Sequence, residues 1–445
     1  MSGARTGFGL ATAGRAGPSA GEPAWLVGAR EGATGWLARN DFPTRKDEDW
    51  RYCRLDPILE LPFEPPLVGM VAATFDRPEV EAALPEGFGG ARLVFVNGRF
   101  EEGLSRTGGL PEAVYAGSLV PVLSDRGGRL RSLWPHLAGY PHAFRALNDA
   151  LAVDGAFVDL PAGATVEAPI EVVCISVPGE HPVMSNPRSI VRAGAGARAT
   201  IVETYLGLPG GPCLTNAHTQ IVLGDGARVD HYKFQDEDPK SYHLSCVEVR
   251  PGQRARFSSR LVALGGRIAR HEVNARLEEE QATVDLDGLY LPSGEQYHDN
   301  PVRVEHAARR CTSRQVYKGI VDGSAHGVFN GHVIVRPGAD GTDAHQVNKN
   351  LLLSDRAEVD TRPRLEIFAD DVACTHGAAV GSLDPDAMFY LRSRGIPHPQ
   401  ARALLVAGFA QEVLDRFPAG AVRDRAERLV GGRLARVPAA KEGWR

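Results

Sequence analysis

Long apolar runs are missing from this sequence: none reaches the roughly 20 residues that a membrane-crossing helix needs. Aromatic residues are sparse, at 7 %, and the formal net charge is only -5, which excludes nucleic acid as the main partner. The six cysteines, Cys53, Cys174, Cys213, Cys246, Cys311 and Cys374, stand far apart and form no C-x-x-C pair. No closed structural zinc site is therefore written locally, and in a reducing compartment these residues stay thiols. No G-x-x-x-x-G-K-[ST] occurs, which removes a P-loop for ATP. Residues Met1 to Pro23, rich in Gly, Ala and Ser, lack the apolar stretch of a secretory signal. They are expected to be a disordered lead, and the protein is expected to be cytoplasmic.

What the chain has in quantity is turn formers: 50 glycines and 31 prolines in 445 residues. Frequent turns favour a long β architecture over a helical bundle. Residues 24–154 mix signals and are read as an N-terminal α/β domain. Trp25, Leu26, Ala29, Ala33, Trp36 and Leu37 follow near-helical spacing. Arg92 to Phe100 reads as a strand turning at Asn97-Gly98, and Leu133 to Ala152 reads as helix.

From Phe157 to about Val372 short β-branched strands alternate with small turns that rhyme. Gly163-Ala164, Gly196-Ala197, Gly226-Ala227, Arg254-Ala255 and Gln281-Ala282 recur about every 26 to 33 residues. That period belongs to solenoids, in which each rung hides its apolar side on its neighbours. A propeller blade needs four strands and roughly 40 residues, so residues 155–375 are read as a parallel β-helix core. Residues 376–445 are read as a C-terminal helical domain. Asp384-Pro385-Asp386 starts a helix that stops at Arg394-Gly395. A second helix runs from about Pro399 to Phe417, with Leu405, Phe409, Val413 and Phe417 on one face, and the tail beyond Gly431 reads as loose.

Three local patterns carry possible chemistry. Gly194-Ala195-Gly196-Ala197-Arg198-Ala199 matches a relaxed dinucleotide fingerprint, but Thr200 to Tyr205 behind it is strand, where that motif needs a helix N-terminus. A solenoid corner is the better reading. Gly288 to Gly294, with His298 and with His271 and Glu272 upstream, loosely matches a cupin motif, in which histidines inside a barrel hold one metal. A cupin-like metal-dependent enzyme using His271, His298 or His306 is the alternative function. Cys374-Thr375-His376-Gly377 is sharper: on a strand, residues i and i+2 share a side, so thiolate and imidazole could reach one metal or cluster. Iron–sulfur clusters usually take four ligands, so the rest must come from elsewhere.

The segments around that motif are long and specific. Asn348 to Thr361 runs through Leu365 to Val372 into Cys374 to Ala378. Earlier come Asp47-Glu48-Asp49-Trp50-Arg51-Tyr52, Leu147-Asn148-Asp149-Ala150-Leu151, His306 with Cys311 to Gln315, Tyr317-Lys318-Gly319 and Gly327 to Gly331. The chain after about Pro43 resembles the SufB/SufD family of the SUF iron–sulfur cluster assembly system. SufB-type members typically carry a cysteine in a stretch that here reads Gly294 to Asn300, without one, which is the SufD pattern.

The resemblance implies a right-handed parallel β-helix flanked by helical domains and a non-catalytic scaffold rather than an enzyme. It implies a complex with SufB and the ATPase SufC, served indirectly by a cysteine desulfurase and a sulfur carrier. By motif, His376 would help to hold a transient iron–sulfur cluster at the SufB interface, with Cys374 beside it as the other half of a partial site. Reduced flavin is associated with the complex. The isolated chain is expected to be a homodimer carrying no cofactor of its own.

Overall fold

The computed structural model describes residues 22–64, 75–125, 127–134 and 141–436. Most of the expected lead, residues 1–23, lies outside them, as does the middle of the helix expected from Leu133 to Ala152. Between Arg92 and Gly381 the described residues form twenty strands, arranged in two stacked sheets. From Arg188–Ala193 onward successive strands alternate between the sheets, so neighbours within a sheet come from successive rungs. Within the solenoid the pairing is parallel and in register, for example Val229 beside Phe257 beside Val284 beside Ser313.

Each corner solves the same steric problem. Gly163, Gly196, Gly226, Arg254, Gln281 and Arg310 all have left-handed backbone, with φ between 54° and 74°. A small residue follows each, and Ala197, Ala227, Ala255, Ala282 and Cys311 are fully buried in the corner. Glycine takes this conformation without steric cost; the three later corners accept it on residues with a Cβ. The dinucleotide-like stretch is one of these corners, with Gly196 at its turn and the strand Arg198–Gly207 behind it. Inward-facing Val, Ala, Ile, Leu and Phe fill the lumen, with Leu93, Val172, Ile201, Val229, Phe257 and Val284 in one continuous core.

The chain before residue 155 does not stand apart from the solenoid. Strand Arg92–Val96 pairs in parallel with Ile170–Ser176 and so opens one of the two sheets, while its hairpin with Arg99–Phe100 turns at Asn97-Gly98 as expected. Helices Ala24–Leu37 and Ala143–Leu151 pack together and cover the outer face of the other sheet through Phe42, Trp50, Phe144, Leu214, Tyr242 and Leu244.

At the far end, the last strand runs from Val372 to Gly381, so the expected core boundary at 375 falls inside a strand. Helices Pro385–Ser393, His398–Leu414 and Ala421–Ala435 follow. Two expectations need correction. The tail past Gly431 continues as helix to Ala435, anchored by the ion pair of buried Arg425 with Glu171. Of the expected stripe, Val413 and Phe417 are buried as read, but Leu405 and Phe409 are only half-buried, and Ala401, Val406, Ala410 and Leu414 complete the buried face. The helix lies on a sheet bearing Tyr232, Val262 and Leu289.

Candidate functional site

The last rung assembles the site. Strands Glu358–Ile367 and Val372–Gly381 each stand last in their sheet, so among the described residues one edge of each has no strand beside it. Nearly every residue of the earlier rungs is buried or half-buried, whereas the final strand is mostly exposed. Ile367, Phe368 and Val380 sit there 40 %, 56 % and 46 % exposed, close in sequence to Phe389 at 73 %. Unpaired strand edges carrying apolar side chains invite pairing with another chain.

Cys374 pairs with Ala344 and His376 with Gln346, so the two share the face that continues the solenoid interior. Beneath His376 lie two buried amides: Gln346 Nε2 donates to Gln315 Oε1 at 2.8 Å. Gly331 leaves room for this pair, since a Cβ there would stand 1.9 Å from Gln346 Nε2. Cys374 is half-buried against Val333, Val335, Ala339 and Ala344. Burial pushes its thiol up and nearby Asp343 adds to this, against a hydrogen bond from the Ala344 backbone that lowers it. As a free side chain it is therefore a thiol, and an incoming metal must displace its proton. His376 is exposed one pleat further on. Thr375 faces the other way, 2.6 Å from His345 Nδ1, whose Nε2 lies 2.7 Å from Asp343. One imidazole and one thiol at a strand edge could supply at most two of the four ligands that an iron–sulfur cluster usually takes.

The N-terminal motif explains itself physically. Glu48 and Asp49 reach across to Arg364, each at 3.0 Å, and Glu48 also pairs with Arg362, both arginines lying on the penultimate strand. The hydrogen bond from Arg362 and the charge of Arg364 hold the Glu48 carboxyl below the usual range. Trp50 stacks under Arg270 at 3.8 Å. The motif thus clasps the end of the solenoid from outside.

The cupin-like histidines do not converge. His298 Nε2 lies 3.0 Å from the Gly265 carbonyl, His306 Nε2 lies 2.8 Å from Ser313 Oγ, and His271 Nδ1 lies 3.4 Å from Ser245 Oγ. They occupy different stations of an open parallel solenoid, where a cupin would bring them together inside a barrel. Sequence reading missed a different group. His218, Cys246 and Glu248 come together on the outer face beneath helix Ala143–Leu151. Only their one-rung separation, 218 to 246, could have signalled it, and that signal needs the register to be known.

Two family models cover the chain: the SufBD protein N-terminal region over residues 16–172 and the SUF system FeS cluster assembly SufBD core domain over residues 175–409. An iron–sulfur cluster assembly SufBD family protein of Synechocystis is 32 % identical, over 93 % of this chain and 92 % of the relative. The iron–sulfur cluster assembly protein SufD of Escherichia coli is 32 % identical over 89 % of this chain and 90 % of its own length. SufD of Bacillus subtilis is 28 % identical over 63 % of this chain and 64 % of its own. With family models and relatives agreeing along nearly its whole length, and with SufD among those relatives, the chain belongs to the SufB/SufD family of iron–sulfur cluster assembly proteins.

Proposed function

We propose that this chain is a non-catalytic, cytoplasmic scaffold subunit of an iron–sulfur cluster assembly complex. It pairs its open solenoid end with SufB, and its C-terminal helices dock the ATPase SufC. The cluster is cargo, held transiently between a half-site made of His376 and Cys374 and ligands from the partner. The last rung supports this reading most: an unpaired strand edge, exposed apolar side chains and an imidazole–thiol pair occupy the same few residues. An isolated enzyme has no use for a half-finished ligand set on an aggregation-prone edge, whereas a subunit that must meet a partner before cargo can bind needs both.

The test is co-expression with candidate SufB and SufC chains, followed by size analysis and anaerobic measurement of iron and sulfide. A stable complex that accumulates cluster only when this chain is present supports the reading. Failure to associate with either partner overturns it.

A further inference from the structure

A second constellation, well away from the open end, points to a resident metal. Parallel register sets His218, Cys246 and Glu272 in a row across three adjacent strands, with Glu248 one pleat further along the middle strand on the same face. Neighbouring strands are about 4.8 Å apart, so side chains in such a row converge with small rotations. The donor atoms of His218, Cys246 and Glu248 all lie within 4.8 Å of one another. His218 Nε2 stands 3.4 Å from Glu248 Oε2. Two ligands at tetrahedral angles on an ion with bonds of about 2.1 Å stand about 3.4 Å apart.

Three further observations say that something belongs there. His218 is 1 % exposed; its Nε2 has the Glu248 carboxylate beside it, while its Nδ1 makes no hydrogen bond among the described residues; leaving a buried polar group so is costly. Beside it is a cavity of about 20 Å³, lined by Trp50, His142, Arg145, His218, Cys246 and Glu272 among others. That volume holds one water-sized occupant. The charges also leave a deficit. Arg145, Arg188 and Arg270 face the carboxylates of Asp149, Glu248, Glu272 and Asp299, a surplus of one negative charge when His142, 3.3 Å from Glu272, is neutral. A thiolate at Cys246 makes it two, which one divalent cation neutralises, and buried charge without compensation is what such sites avoid.

We propose that His218, Cys246 and Glu248 bind one divalent metal ion of the zinc or ferrous class, in a closed structural site clamped between the solenoid and the N-terminal segment. Nitrogen, sulfur and oxygen donors together select borderline ions over calcium or magnesium. Glu272, whose Oε1 lies 3.9 Å from Cys246 Sγ, or a water in the cavity supplies the fourth position. Arg145 Nε lies 3.5 Å from Glu248 Oε1, leaving Oε2 for the ion, and Asn274 Nδ2 donates to Cys246 Sγ at 3.5 Å, as a partner supporting a ligand does. Binding releases the thiol proton of Cys246, which burial otherwise retains. The proposal concerns the isolated chain and stands independently of the scaffold reading; it revises the expectation that the lone chain carries no cofactor.

The experiment uses the full chain carrying Cys374→Ser and His376→Ala, which silences the open end. After dialysis against a chelator, the protein is titrated anaerobically with cobalt(II). One cobalt per chain is expected, with a sulfur-to-cobalt charge-transfer band that zinc removes. Cys246→Ser should abolish the band, and His218→Gln should weaken binding at least ten-fold. Glu248→Gln, at a half-buried position that leaves the core packing alone, should weaken it too. Zinc should raise the melting temperature of the parent chain but not of His218→Gln. Absence of saturable binding, as when the cavity holds water only, overturns the proposal. So does a charge-transfer band that survives Cys246→Ser.

Discussion

His376 stands exposed above two stacked amides, Gln346 and Gln315, at the end of a column that is buried in every earlier rung. Its removal therefore costs little packing. His376→Ala is expected to change the stability of the chain by less than about 0.5 kcal/mol while lowering the iron and sulfide recovered with the assembled complex several-fold. Anaerobic iron and sulfide analysis of purified complex checks this, and wild-type recovery would refute the half-site. The buried histidines behave in the opposite way. His298 is fully buried, and burial, assisted by Arg433, pulls its imidazole down to about 3 against the Gly265 hydrogen bond. The unfolded chain takes that proton near pH 6.5, the folded chain only near 3. Between these values the unfolded state holds more protons, so stability falls as the medium is acidified. His298→Gln removes one such group and should lower the pH slope of stability by about 1.4 kcal/mol per pH unit between about pH 6 and 4. Urea unfolding at several pH values measures it; an unchanged slope would mean that His298 titrates normally.

At the scale of elements, the C-terminal helices present two different faces. Val406, Ala410, Val413 and Leu414 close one sheet of the solenoid, and Arg416 and Lys318 tie the helix to it through Asp287 and Glu412. Deleting residues 384–445 would uncover that sheet, so it cannot serve as a clean test of partner docking. The outward face is different: Leu404 is 54 % exposed on the same helix. Leu404→Glu keeps helix propensity and is expected to weaken association with the ATPase at least ten-fold, with no loss of thermal stability. Pull-down or calorimetry with the ATPase reads this out, and undiminished binding would move the docking surface elsewhere.

At the scale of the whole molecule, a solenoid must end, and among the described residues this one ends on bare strands. Pairing the final rung with another chain would satisfy its backbone groups and cover Ile367, Phe368 and Val380, and on the proposed function it would complete the cluster ligands in the same event. Two copies of this chain could meet through the same edge about a two-fold axis. A lysine at Ile367, whose strand partner is Val335, puts a charge into the shared surface. Ile367→Lys should raise the dissociation constants of both the homodimer and the SufB complex by at least ten-fold. Sedimentation and co-purification test the two assemblies separately. A monomeric wild-type chain at micromolar concentration, or an effect on one assembly alone, would show that one edge does not serve both.

The sequence by itself determined the rung. A left-handed residue followed by Ala, repeated about once per turn, is local stereochemistry, so Gly196-Ala197 and Gly226-Ala227 announced corners before any contact was known. It also determined that Cys374 and His376 share a side, because strand alternation is local too, and the Asn97-Gly98 hairpin and the Asp384 cap were legible for the same reason. Local pattern did not reveal that Arg92–Val96 belongs to the solenoid, which rests on pairing with Ile170–Ser176 some 80 residues later. The buried face of His398–Leu414 was legible only in part, Val413 and Phe417 but not Leu405 and Phe409, because helix periodicity names an apolar stripe but not the contour of the sheet it must fit. The group at His218, Cys246 and Glu248 was invisible because His218 stands a rung away from the other two, and only inter-strand register brings all three within 4.8 Å. Dihedral preferences act between neighbours and can be read along a chain; register and packing join residues that only the folded solenoid makes neighbours.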